Sequence, residues 1–145
     1  MRMLFKQSDQ ELIDTSAIHT TKEILQQPNV WKEISQDLES KRADWKQFFD
    51  SIYKKYETVR VIFTGAGSSA FIGETLVPTL NNRRDDKVRF EAIATTDIVS
   101  NPTHFLKPTE PTVLVSFARS GNSPESVATV ELAEKIISDL YHVVI

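Results

Sequence analysis

"VRVIFTGAGSSAFIG", residues 59–73, holds three of the chain's four glycines and passes from an alternating apolar run into a turn that carries two of them. A β-branched run that breaks into Gly-Ala-Gly-Ser-Ser and resumes with a helical pattern reads as strand, tight turn and helix. Working outward, "VRFEAIAT" (88–95), "TVLVSFA" (112–118) and "YHVVI" (141–145) have the same strand character, and helical stretches near 68–80 and 124–139 lie between the runs. Strands that alternate with helices predict a parallel sheet covered on both faces. The fold expected is therefore α/β, a three-layer α/β/α sandwich with a flavodoxin-like sheet wound 2-1-3-4. Between the second and third strands, "TTDIVSNPTHFLKPTEP" (95–111) is dense in Pro, Thr and Ser and predicts a short helical turn within a loop.

Residues 1–57 read as a helical lead-in to the domain at 58–145. Thr20 and Glu23 match a capping box, Pro28 is expected to close the short helix that follows, and Asn29 to about Tyr56 forms one long amphipathic helix. Its stripe of Trp31, Ile34, Leu38, Trp45, Phe48, Phe49 and Ile52 has helical spacing, which packing against a neighbouring element explains more simply than a cofactor. That stripe, with a last strand that no helix covers, predicts that the chain self-associates into a homo-oligomer or needs a second half to be stable.

The 145 residues are 40% hydrophobic and 26% charged with a formal net charge of -3, which fits one soluble globular domain and argues against a nucleic-acid or anionic-membrane partner. No cysteine is present, so disulfides, thiolate metal sites and thiol nucleophiles are excluded. The opening "MRMLFKQSDQEL" has too few apolar residues for a signal-peptide core, and no run approaches the ~20 apolar residues of a membrane span. A cytoplasmic protein is the expectation. The three histidines have no metal-ligand spacing, so no metal is expected.

In an open parallel sheet, ligands bind beyond the carboxyl ends of the strands, where helix N-termini present unpaired N–H groups and positive dipole ends. Two turns occupy that position. In "GAGSSA" (65–70), Gly65 and Gly67 permit positive φ and close ligand approach, while Ser68 and Ser69 supply hydroxyls. In "ARSGNSPES" (118–126), Ser120, Asn122 and Ser123 can each donate to an anion, Gly121 allows a tight turn, and Pro124 suits the first turn of a helix capped by Ser123. Any strand-to-helix turn uses Gly and Ser, but two such turns flanking the switch point predict convergence on one phosphate. "GAGSSA" also satisfies the dinucleotide fingerprint G-x-G-x-x-A, although Glu91 and Asp97 are both poorly placed for a ribose, and the second serine turn goes unexplained by it.

These two turns, with "KEILQQP" and Trp31 ahead of them, resemble the sugar isomerase (SIS) domain family. They are most similar to the tagatose-6-phosphate ketose/aldose isomerases, also described as galactosamine-6-phosphate deaminases. The resemblance runs from about Thr20 to Ile145 and implies two tandem modules, of which this is the first. By that resemblance Gly67, Ser68, Ser69, Ser120, Gly121, Asn122 and Ser123 bind the phosphate of a small-molecule sugar phosphate, with no cofactor. Ala118 and Asn122 stand where many members have serine and glutamate, so a glutamate base is missing and Glu74 and His19 are the remaining candidates. A non-catalytic sensor of sugar phosphates is the alternative that the same turns would serve.

Overall fold

The computed structural model describes residues 7–82 and 86–145 of the chain. Residues 1–6, including the start of the lead-in and of the opening read for a signal-peptide core, lie outside the described residues, as do Arg83, Arg84 and Asp85. Two compact units divide the chain, Met1–Phe49 and Asp50–Ile145.

In the first unit, α1 (Asp9–Asp14) begins with the capping box of the lead-in, and it lies at Ser8 and Glu11 rather than at Thr20 and Glu23. The Glu11 amide donates to Ser8 Oγ at 3.3 Å, and the Ser8 amide donates to Glu11 Oε2 at 2.7 Å. Those bonds hold the Glu11 carboxyl below its ordinary value. Thr20 has no capping role because α2 (Ile18–Ser40) starts earlier, directly after Ser16, whose φ of 56° turns the chain out of α1. Nor does Pro28 end a helix. It sits inside α2, where the missing N–H removes one main-chain bond while helix-favouring residues on both sides carry the helix across. The break comes instead at Lys41, whose amide bonds back to Asp37 and Glu39 before α3 (Arg42–Lys55) begins. Along the expected stripe, Ile52 is buried, whereas Trp31, Ile34 and Leu38 are at least half exposed, so packing within the described residues does not account for them.

The second unit is built on four parallel strands in the order β2-β1-β3-β4, the predicted winding: β1 (Val59–Gly65), β2 (Val88–Ala92), β3 (Thr112–Phe117) and β4 (Leu140–Val144). The β1–β3 register runs from Arg60 opposite Thr112 to Gly65 opposite Phe117. Strand alternation then sorts the faces. Ile62 and Leu114 point into the main core, with Ile93, Ile98, Leu106, Ala133 and Ile137 from the segments crossing that face. These segments include α5 (Thr95–Ser100), α6 (Pro102–Phe105) and α7 (Pro124–Ile136), so the loop expected to hold a single helical turn carries two. On the opposite face Phe63 stacks against Phe90 and tilts against Phe117. There α4 (Ala70–Asn81) comes so close that a Cβ on Gly73 would lie 2.8 Å from Phe63 Cβ. Among the described residues no helix is long and apolar enough to cross a membrane.

Candidate active site

The ladder delivers the two serine turns side by side. β1 ends at Gly65 and runs through Ala66 into a 3-10 turn (Gly67–Ser69) ahead of α4, while β3 ends at Phe117 and leads through residues 118–123 to α7. Glycine conformation is required at two places. Gly67 has φ +56° and Gly121 φ +70°, with open space where a Cβ would stand, so it is the backbone angle that excludes other residues. Gly65 differs from expectation, because its φ is not positive. A Cβ there would sit 2.7 Å from Ser69 Cβ and 3.0 Å from the Phe117 carbonyl oxygen, so glycine at 65 lets the two turns approach each other.

Between the turns lies a cleft of about 170 Å³ lined by Ala66 and Ser69 from the first turn and by residues 117–121, Ser123 and Ser126 from the second. Of the seven residues expected on a phosphate, the cleft thus gathers Ser69, Ser120, Gly121 and Ser123. Ser68 faces a separate apolar hollow with Phe71, Ile72, Thr75 and Leu76, and neither Gly67 nor Asn122 lines the cleft. Ser123 caps α7 as its position before Pro124 predicts, its Oγ accepting from the Ser126 amide at 3.3 Å. The Ser123 hydroxyl also donates to Ser126 Oγ at 2.8 Å, an exchangeable bond that leaves both hydroxyls free to rotate onto an anion.

Ser126 is a lining residue that sequence reasoning missed. Its signal was present as serine at the third position of a helix whose cap is also serine. Among the described residues that line the cleft, Arg119 is the one cation, and none carries a carboxylate or an imidazole. An anion seated here would therefore meet three or four hydroxyls, one guanidinium and the N-terminal amides of a 13-residue helix, a set suited to a phosphate. Glu74 lies exposed on α4, and His19 lies exposed on the first turn of α2, in the other unit. Among the described residues no group of His, Asp or Glu is assembled that could hold a metal.

No family model matches the chain. Individual relatives do. The D-galactosamine-6-phosphate deaminase AgaS of Shewanella sp. (strain ANA-3) is 43% identical over 141 residues, 95% of this chain and 36% of that protein. A crystal structure of tagatose-6-phosphate ketose/aldose isomerase from Escherichia coli superposes with a TM-score of 0.78 at 41% identity, covering 85% of this chain and 33% of that one. The chain is a homologue of these sugar-phosphate isomerases and deaminases over most of its length. A second crystal structure, from Clostridium novyi NT and provisionally assigned as a tagatose-6-phosphate ketose/aldose isomerase, matches with a TM-score of 0.86 at 50% identity over 94% of this chain and 34% of that one. The chain spans about a third of the length of the sugar isomerase relatives it matches.

Proposed function

We propose that this chain is the phosphosugar-binding module of an aldose-ketose isomerase or amino-sugar-phosphate deaminase. The reading is carried by the cleft in which both serine turns meet at the N-terminus of α7. Its substrate would be an open-chain hexose or hexosamine 6-phosphate of the galactosamine 6-phosphate or tagatose 6-phosphate type. From the amino sugar or aldose the C2 proton is removed, C1 is protonated, and the enolamine or enediol between them collapses to a C2 imine or ketone; a ketose such as tagatose 6-phosphate runs the reverse way, losing a C1 proton and gaining one at C2. Water hydrolyses the imine to the ketose with release of ammonia. The chain's own residues hold the phosphate: Ser69, Ser120, Ser123 and Ser126 donate hydroxyl hydrogens and Arg119 balances the charge. Gly67, Ser68, Gly121 and Asn122 shape the two turns.

Replacing Ser69, Ser120 or Ser123 by alanine is expected to weaken galactosamine 6-phosphate binding by about 1–3 kcal/mol each, because every loss leaves a charged oxygen short of a donor. Isothermal titration of the three variants checks this. Unchanged affinity in all three, or equal affinity for the unphosphorylated sugar, would remove the assignment.

The protein is read as cytoplasmic and as a homo-oligomer, a dimer in its simplest form. Support comes from the exposed Trp31, Ile34 and Leu38 and from Val144 and Ile145 at the end of β4, all apolar surface that water penalises. Sedimentation velocity across a hundredfold range of concentration is expected to show association, and a single monomer boundary throughout would contradict it.

A further inference from the structure

Two buried hydroxyls lie under the cleft without lining it. Thr95 opens α5, is 2% exposed, and donates from Oγ1 to the Gly65 carbonyl at 3.2 Å. Thr129, in α7 and fully buried, donates from Oγ1 to the Thr95 carbonyl at 3.4 Å. Both bonds are long for a hydroxyl donor, and both lie in buried surroundings, where a hydrogen bond is electrostatically stronger than in water.

The two bonds join three elements in series, and both ends of the series reach the cleft. At one end Gly65 is followed by the cleft-lining Ala66 and abuts Ser69. At the other end Ser126 lines the cleft one helical turn before Thr129, on the same side of α7. The β1–β3 register stops at Gly65 opposite Phe117, so the ladder does not extend to the serines. A valine of the same shape would fill either threonine site without the cost of burying a hydroxyl, so the hydroxyls need a reason beyond packing.

We infer that Thr95 and Thr129 are positioning residues: their hydroxyls set the spacing between the two serine turns, and so the fit of the cleft to a phosphate. This rests on the phosphate reading of the cleft and deepens it. Neither threonine touches the ligand. Each acts through the backbone to which it is bonded, Thr95 through Gly65 and Thr129 through α5.

The test measures binding of galactosamine 6-phosphate and of inorganic phosphate, together with thermal midpoints, for wild type, T95V, T95S, T129V and T95V/T129V. T95V is expected to weaken both ligands about tenfold and T95S less than about twofold, because serine retains the hydroxyl. Since the two bonds are in series, the double variant should lose little more affinity than T95V alone, a non-additivity that independent packing defects do not produce. Wild-type affinity in T95V, or T95S as impaired as T95V, would overturn the inference, the second because the methyl contacts would then be responsible. A wild-type chain that binds neither ligand would instead remove the phosphate reading itself, and that result is read before any variant is made.

Discussion

Assayed alone, this chain is expected to bind galactosamine 6-phosphate or tagatose 6-phosphate and to turn over neither, at least 10²–10⁴-fold below a relative three times its length. Removing the C2 proton of the amino sugar, or the C1 proton of the ketose, needs a base within hydrogen-bond reach, and a positioned base contributes about that factor. The cleft is lined by serines, small residues, Phe117 and Arg119, none of which is a base at neutral pH. Asn122, in the second turn, is an amide and cannot take the proton. Glu74 and His104 are exposed on α4 and α6, outside the cleft lining. Coupled detection of ammonia and ketose, run beside the Shewanella deaminase as reference, reads the difference directly. Turnover within about tenfold of that reference would place the base inside this sequence, and Glu74→Gln would be the first substitution to examine. If a longer protein carrying this module also binds the sugar phosphate without turnover, the sensor reading replaces the enzyme.

Removing the carboxylate of Glu91 is expected to cost about 3 kcal/mol of stability, a large share of a typical domain's 5–15 kcal/mol. Arg60 and Arg89 are register partners on β1 and β2, like charges side by side. Arg60 is 6% exposed. Glu91 neutralises both, accepting from Arg60 Nε at 2.9 Å and Nη2 at 2.6 Å and lying 2.6 Å from Arg89 Nε, while Arg60 Nη1 also donates to the Phe105 carbonyl. Glu91→Gln would leave the buried Arg60 guanidinium with only the more distant Glu110 carboxylate, 3.9 Å from its Nε, while Arg89 keeps Glu110 at 2.9 Å from its Nη2. The expected cost is at the low end for a broken buried pair because Glu91 keeps 28% of its side chain in water. Burial pushes the Glu91 carboxyl up, but the Arg60 hydrogen bond and the charges of Arg60 and Arg89 outweigh it and hold it below its ordinary value of 4.5. A depressed folded value means that this stabilisation is complete above about pH 4.5 and is lost as pH falls through the folded value. Urea titrations at pH 7 and at several points below 4.5 should show a lower midpoint for Glu91→Gln at neutral pH and a shallower acid loss than wild type. Equal midpoints at pH 7 would show that the pair carries no net stability.

Glu91 also shows why part of the site could not be read in advance. From sequence it was a poorly placed ribose candidate inside a strand; Arg89, two residues away, shares its face by strand alternation, but Arg60 stands 31 residues away and only the β1–β2 register brings it in. The same distinction separates Ser69 from Ser68. Adjacent in a serine pair, they are equivalent to any local rule, yet the turn from Gly67 to Ser69 sends one into the cleft and the other to the apolar hollow on α4.

By itself, the sequence determined the four strands, the positive φ at Gly67, the tight turn at Gly121, and the Ser123 cap before Pro124. Each of these depends on alternation, turn chemistry or capping within a few residues, and such preferences act before the chain has folded. Tertiary structure decided the rest: glycine at 65 for contact with Ser69 and Phe117, the membership of Ser126 in the cleft, the Glu91 contact with Arg60, and the Thr95 and Thr129 bonds. These depend on distances between elements far apart in sequence, and the packing of helices onto the sheet sets those distances through many small contacts that no short pattern encodes.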